Sequence, residues 1–551
     1  MADPETFAGM VAARAADDRP GLRFEGRAWT WREVIEEAAR RADLATSLRR
    51  AGPWHIGVLL DNTPENLFWI LGSAVSGATV VGINPTRRGS ELARDINFTD
   101  CQLLVTDAAG AELLDGLELD CPPERIIRVD RQRPTVSADG RPAQTPDAIA
   151  AGADRVDPAT ILTLVFTSGT TGGPKAVICS QRRMAEIAAG QRDRRGLTAS
   201  DVFYLAMPLF HSNALMAGIA PAVLTGGCLV LRRKFSASGF LPDVRANGVT
   251  FFNYVGKPLH YILSTPELPD DADNPLRIAF GNEATDHDIA EFARRFGCQV
   301  LDSYGTSEGG MRINRVPDAP PGSLGVADEG TVVMNPQTLI ECPAARFDTD
   351  GRILNAEEAT GEIVNLINAR QFEGYYRNPQ ADAQRIRNGW FWSGDLAYRD
   401  LDGYWFFAGR TDDWLRVDGE NFAAAPIERL LLRHPVVSLV AVYAIPDPVV
   451  GDQVMAAVEL VPGATLDADG FGDFLSAQTD LGTKWAPRYL RVVAALPRTP
   501  TNKVVKRPLR ADGIDTDDPL YIRDGNELRY RLAAPATAGE AMADDATGGS
   551  R

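Results

Sequence analysis

Short apolar runs separated by polar stretches of helical length recur along this chain. Ile56 to Leu60, Thr79 to Ile83, Leu103 to Thr106 and Ile126 to Val129 are apolar runs of strand length. Asp61-Asn62-Thr63-Pro64-Glu65 reads as a helix start, with a capping residue, an early proline and an acid in the first turn. Trp69 to Ile83 is the best candidate for crossing a membrane, but it is too short, and Gly72, Ser73, Ser76 and Gly77 dilute it. A buried helix running into a strand is the better reading. Residues 130–157 are rich in Pro, Asp and Ala and are expected to form a surface excursion. Ile161 to Phe166 reads as a buried strand, and Phe203 to Lys257 repeats the theme, with Gly226-Gly227 ahead of the strand Cys228 to Leu231. Strands alternating with helices predict an α/β architecture.

The pattern changes near Arg410. Gly403 to Gly409 is an aromatic strand closed by glycine, and Arg410-Thr411-Asp412-Asp413 is a charged turn. Beyond it, Val436 to Ile445, Gln453 to Val461 and Tyr489 to Val493 are strand-like, enough for a small α/β domain. The expected division is an N-terminal domain over 1–409, a hinge over 410–413, a C-terminal domain over 414–530 and a disordered tail over 531–551. The tail is expected to lack order because it has almost no large apolar side chains.

Composition narrows the function. The chain has 551 residues, 44% hydrophobic and 24% charged, which suits large globular cores. Its net charge of −17 gives no electrostatic footprint for nucleic acid or an anionic membrane. The six cysteines are scattered through apolar contexts, so reduced core thiols are expected, and neither they nor the five dispersed histidines have metal-ligand spacing. Met1-Ala2-Asp3-Pro4-Glu5 is acidic and no apolar segment follows, so no signal peptide and a cytoplasmic location are expected.

The chemistry begins where the Ile161 to Phe166 run stops. Thr167-Ser168-Gly169-Thr170-Thr171-Gly172-Gly173-Pro174-Lys175 packs hydroxyls and glycines ahead of one lysine. Glycines let backbone N–H groups approach an anion, the hydroxyls add donors and the lysine adds charge. That combination suits a polyphosphate; a flexible turn is the plain alternative. It is not a P-loop, because Pro174 precedes the lysine and Ala176 follows it where Ser or Thr would hold magnesium. Ala176 to Cys179 looks like a strand, so the loop is expected to join two strands.

With four further segments in order, the chain resembles the adenylate-forming superfamily of acyl-CoA synthetases, luciferases and adenylation domains. These segments are Asp302-Ser303-Tyr304-Gly305-Thr306-Ser307-Glu308, Trp392-Ser393-Gly394-Asp395, Gly409-Arg410-Thr411-Asp412-Asp413 and Pro497-Arg498-Thr499-Pro500-Thr501-Asn502-Lys503. The resemblance implies a large multi-lobed N-terminal α/β domain and a small mobile C-terminal one. It implies ATP, Mg²⁺ and coenzyme A as cofactors, and ATP or AMP contacts from Thr167, Ser168, Gly169, Thr170, Thr171, Gly172 and Lys175. The Gly281-Asn282-Glu283 turn would flank adenine, Tyr304 would stack on it, and Asp302, Gly305 and Thr306 belong to the same segment. Ser307, where the family more often has Thr, would contact the α-phosphate, and Glu308 would bind magnesium. Asp395, assisted by Arg410, would hold the ribose hydroxyls, a pairing that is sound hydrogen-bond chemistry. Lys503 would bridge carboxylate and α-phosphate, as a mobile cation should; Asn502 stands where glycine is usual. His211 would line the acyl site and respond to ATP. Asp412 would be the hinge, and Arg416, Gly419 and Glu420 would lie on the CoA side.

Arg233 to Ser238, Phe251 to Gly256 and Gln371-Phe372-Glu373-Gly374-Tyr375 resemble the fatty acid transport protein, or very-long-chain acyl-CoA synthetase, branch. That branch implies activation of a fatty acid or a sterol side-chain acid, with Phe210, Phe252 and Tyr254 as acyl-pocket candidates; a core strand is the alternative for the latter two. The partners expected are an apolar carboxylic acid and CoA, with a homodimer compatible and no nucleic acid. The alternative is an acyl-AMP ligase that loads a carrier protein; such ligases resemble this chain but commonly carry an inserted segment ahead of the hinge, for which Gly361 to Asp395 leaves no room. A nonenzymatic adenylate-binding protein would not need Lys175, Glu308, Asp395, Arg410 and Lys503 together.

Overall fold

The computed structural model describes residues 3–129, 144–167, 175–316, 318–348, 353–410, 414–417, 420–447, 451–478, 481, 484–498, 504–525 and 527–533. The chain forms two compact units, one of Met1–Arg312 with Asn368–Gln384, the other of Ile313–Ile367 with Arg385–Arg551. The expected boundary at 409/410 falls inside the second unit.

The first unit holds two sheets. One runs in the order Ile126–Arg128, Cys101–Thr106, His55–Leu59, Thr79–Gly82, Ile161–Thr167 and Lys175–Ser180. Its neighbours are parallel except the last pair, which is antiparallel. The other runs Gln299–Gly305, Ile278–Asn282, Phe251–Val255, Val202–Leu205, Cys228–Leu231, Pro20–Phe24 and Arg27–Thr30, again parallel up to a closing hairpin. Parallel strands need crossover helices, and both faces are consequently covered and apolar.

The helix Pro64–Ser76 shows how the sequence sets this core. Thr63 caps it by accepting from the Asn66 amide, Pro64 takes the first turn, and Gly77 closes it at φ +69°. Nearly every side chain in it is buried. Its first-turn acid Glu65 is buried too, where Arg41 donates through Nε at 3.1 Å and Nη2 at 2.5 Å and the Trp69 indole donates at 2.8 Å. A buried carboxylate persists only with such partners. The expected excursion is corrected in part: Pro146–Ala153 is a helix, capped by Thr145, with Ile149 and Ala153 buried. Its apolar residues at i and i+4 find a core face that local composition does not reveal.

In the second unit, Thr331–Met334, Gly361–Asn365 and Trp390–Arg399 form an antiparallel sheet, with Ile386–Arg387 and Trp405–Arg410 also on Trp390–Arg399. A second sheet runs Glu420–Ala423, Trp414–Val417, Gly451–Leu460, Tyr489–Val493, Leu520–Arg523 and Tyr530–Leu532, with Val437–Asp447 paired to Gly451–Leu460. Arg531 and Leu532, expected in the tail, instead pair with Ile522 and Tyr521. Residues 534–551 lie outside the described residues. All six cysteines are buried and free, and among the described residues no helix is long and apolar enough to cross a membrane.

Candidate functional site

Thr167 ends one strand and Lys175 begins its antiparallel partner, and the two residues face each other across the pair. The glycine-rich loop does join two strands. Its residues Ser168, Gly169, Thr170, Thr171 and Gly172 lie outside the described residues. Lys175 projects its ammonium 5.8 Å from the centre of the Tyr375 ring. The Tyr375 hydroxyl donates to Glu308 Oε1 at 2.7 Å. Three sequence-distant segments thus bring a cation, a phenol and a carboxylate together, with Glu308 only 6% exposed.

Ser307, next to this carboxylate, is fixed from two sides. Its hydroxyl lies 2.8 Å from that of Ser212. Arg183 donates to its carbonyl at 2.7 Å and to the Ile178 carbonyl at 2.9 Å. Arg183 belongs to the helix Gln181–Arg195, capped by Ser180, whose hydroxyl and amide in turn donate to Glu373 at 2.5 and 2.7 Å. Thr306 closes the turn, its hydroxyl donating to the Gly309 carbonyl at 3.2 Å. Tyr304 is half-buried and Gly305 exposed. One hard carboxylate among hydroxyls is a donor set that suits Mg²⁺, which takes one or two carboxylates with phosphates and waters.

The turn after the strand Ile278–Asn282 is strained. Glu283 has φ +69°, an uncommon value for a residue with a side chain. Gly281 is obligatory, since a Cβ there would lie 2.4 Å from the Tyr254 carbonyl. Asn282 Oδ1 is buried without a partner. Asp302 accepts from the Tyr254 hydroxyl at 2.9 Å and the Ala284 amide at 3.2 Å, tying this turn to the Asp302–Glu308 segment.

His211 accepts at Nδ1 from the Asn213 amide at 3.2 Å. It lies three residues before a π-helical turn, Ala214–Ile219, a feature frequent at functional sites. Phe210 is half-buried beside Gly82, where an added Cβ would meet it at 2.8 Å. Phe252 and Tyr254 need correction as acyl-wall candidates. Both rings pack into an aromatic cluster with Tyr204, Phe240 and Phe292. Side chains alternate along a strand, so the opposite face carries Phe251, Asn253 and Val255. Asn253 faces the π-helical turn, donating to Asn213 Oδ1 at 2.6 Å and lying near Gly218.

In the second unit, Asp395 is 8% exposed. Its amide donates to the Ser393 hydroxyl at 3.0 Å, which donates back to its carbonyl at 3.2 Å. Gly394 takes φ +75° and its amide donates to Glu362 at 2.8 Å. Burial raises the Glu362 pKa above the usual carboxylate range, against the opposing Arg387 guanidinium at 2.6 Å and the Gly394 amide. Sheet register sets Arg410 directly opposite Asp395. Arg416 and Glu420 lie on paired strands. Gly419, Asp412 and Lys503 lie outside the described residues. Sequence reading gave no role to Tyr375, Arg183, Ser212 or Glu362. Only the Gln371–Tyr375 segment carried a signal, as a branch marker.

A lysine at a strand–loop–strand junction, the buried Glu308 carboxylate and a strained turn at Glu283 mark the candidate site. The chain belongs to the AMP-binding enzyme family, which matches residues 10–376, and its C-terminal domain family matches 426–503. Steroid-22-oyl-CoA synthetase of Rhodococcus jostii is 51% identical over 94% of this chain and 92% of its own. Medium/long-chain-fatty-acid–CoA ligase FadD17 of Mycobacterium marinum is 48% identical over 95% and 99%. Long-chain fatty acid transport protein 5 of Mus musculus is 30% identical over 87% and 72%. ATP-bound MatB from Rhodopseudomonas palustris shares the fold, with TM-score 0.73 and 22% identity over 91% of this chain and 98% of that one. The chain is an ATP-dependent acyl-CoA synthetase, an acid–thiol ligase.

Proposed function

We propose that the enzyme activates a long or bulky apolar carboxylic acid, a fatty acid or a sterol side-chain acid, to its acyl-adenylate and then to its CoA thioester. The observation that carries the site assignment is the Lys175–Tyr375–Glu308 cluster. In this reading Lys175 and the loop 167–172 neutralise the ATP phosphates, and Ser307 donates to the α-phosphate as charge develops there. Glu308 holds Mg²⁺, which would supply charge neutralisation on the phosphates. Tyr304 and the Gly281-Asn282-Glu283 turn flank adenine, while Asp395 and Arg410 hold the ribose. Lys503 bridges the reacting carboxylate and phosphate. The C-terminal domain turns about Asp412 to offer Arg416, Gly419 and Glu420 to CoA, because one small domain cannot present both surfaces at once.

CoA, and not a carrier protein, is favoured by the segment Gly361–Asp395. The elements Gly361–Asn365, Ala369–Gln371, Pro379–Arg385 and Trp390–Arg399 account for most of it and leave no added lobe. The bulk of the acid is supported by the names of the two relatives near 50% identity. Pyrophosphate release measured with a panel of fatty and sterol side-chain acids, with and without CoA, tests the reading. AMP and an acyl-CoA should form together. Acyl-AMP that accumulates whether or not CoA is present would overturn it.

A further inference from the structure

Arg195, a half-buried cation, has no role in the proposed reaction. Arg195 ends the helix Gln181–Arg195, and its guanidinium carbon lies 3.6 Å from the centre of the Phe280 ring. Its Nε and Nη1 atoms are buried and have no hydrogen-bond partner. Burial, then the charges of Arg194 and Arg312, pull its pKa down to about 9, with no carboxylate opposing them. Gln191, one turn earlier, is buried, and its Oε1 also has no partner. Residues four apart share a helical face. On that face Met184, Ala185 and Ala188 join the core cluster that holds Phe251, Val255 and Phe280. Two unsatisfied polar groups are therefore set into an apolar wall.

Stacking on Phe280 and the negative end of the helix account for a cation here. They do not account for two buried donors and one buried acceptor left unmade, each of which is unfavourable in an apolar setting. The placement supplies a reason. Arg183, on the same helix, binds the Ser307 carbonyl. Arg195 lies twelve residues on, an axial rise of about 18 Å at 1.5 Å per residue. Phe280 stands two residues before Asn282, whose Oδ1 is likewise unpartnered. An acid with its carboxylate near Ser307 and its body along this face would bring its far end to Arg195.

We propose that Arg195, with Gln191, binds an oxygen on the end of the acid remote from its carboxylate: a ketone, a hydroxyl or a second carboxylate. Guanidinium N–H groups donate to any of these, and Gln191 Oε1 accepts from a hydroxyl. Arg195 is a specificity residue and takes no part in the chemistry. This inference rests on the proposed function and names the substrate class more closely.

The test is kcat/KM by pyrophosphate release on the full chain with matched acids. The pairs are tetradecanoate against its ω-hydroxy and ω-carboxy forms, and a steroid side-chain acid with and without a 3-oxo group. The wild type should prefer at least one oxygenated member by about tenfold or more, and the arms show which oxygen it is. Arg195→Met should bring that ratio close to one, mainly through KM, and Arg195→Lys should keep part of it. Gln191→Leu should lower the ratio for a hydroxyl most. No preference in any pair overturns the proposal, and so does an Arg195→Met loss equal for both members of the preferred pair. If Arg195→Met does not fold, Arg195→Lys and Gln191→Leu decide by the same ratios. If no acid yields acyl-CoA, the parent reading fails, and calorimetric Kd ratios for the same pairs decide this one.

Discussion

Glu308 and Asp395 are both buried carboxylates, but they are held in different ways. Glu308 depends on residues far apart in the chain: Tyr375 donates to it, Lys175 lies over that ring, and Ser212 and Arg183 fix the adjoining Ser307. Asp395 depends on one sheet: the Ser393 turn, Gly394 bound to Glu362, and the register that sets Arg410 opposite. The first arrangement is tertiary and can be loosened one side chain at a time. The second is local, and its position follows from strand pairing.

The largest effect is expected outside both clusters. Lys503→Ala should lower acyl-adenylate formation by about 100- to 1,000-fold, the scale of losing one preorganised donor. Thioester formation from supplied acyl-AMP should survive, and an equal loss in both half-reactions would remove Lys503 from its role. Asp412→Pro should come next, because proline fixes φ near −65° and restricts its neighbour. Adenylation should persist and CoA transfer fail when the two steps are assayed separately; parallel changes would mean that Asp412 is not the pivot.

Two variants separate the carboxylates directly. Asp395→Ala should raise the Kd for ATP by about 10- to 100-fold, as for lost hydrogen bonds to a charged group, and shift that for the acid much less. An unchanged ATP affinity in calorimetry would end the ribose assignment. Tyr375→Phe removes only the donor to Glu308. It should raise the Mg²⁺ concentration for half-maximal rate by about tenfold, the lower range for an outer-shell partner. A Mg²⁺ curve that does not move would make Tyr375 a packing residue. The smallest effect is expected for Ser212→Ala, which removes one hydroxyl partner of Ser307. A net hydrogen bond of about 1 kcal/mol predicts a loss of about fivefold in adenylation kcat. Unchanged kcat would show that Arg183 holds Ser307 alone.

Much of the fold was legible in the chain because its signals are local. Cys228–Leu231 and Tyr489–Val493 form at the expected limits, and the strands flanking the glycine-rich loop fall where apolar runs meet breakers. The Pro64–Ser76 helix starts at its capping threonine. The Pro146–Ala153 helix was missed because alanines and glycine in a polar stretch carry little periodicity, and only its packing uses Ile149 and Ala153. The acyl wall was misread for another reason. A run of apolar residues names a buried strand but not which alternate residues face a helix layer and which face a site. Phe252 and Tyr254 went to the aromatic core, and Phe251, Asn253 and Val255 to the other side.

The sequence by itself determined the chemistry on offer: a hydroxyl-rich loop with one lysine, a Ser307-Glu308 pair, an aspartate after Trp392-Ser393-Gly394, and a late lysine. These are fixed because each motif is contiguous and its spacing is set by the backbone. Tertiary structure decided what each group meets. Tyr375 reaches Glu308 from 67 positions away, Arg183 reaches Ser307 from 124, and Arg195 is left over Phe280 with buried donors unmet. Such meetings depend on how helices and sheets close over one another, a long-range outcome that composition and periodicity do not carry.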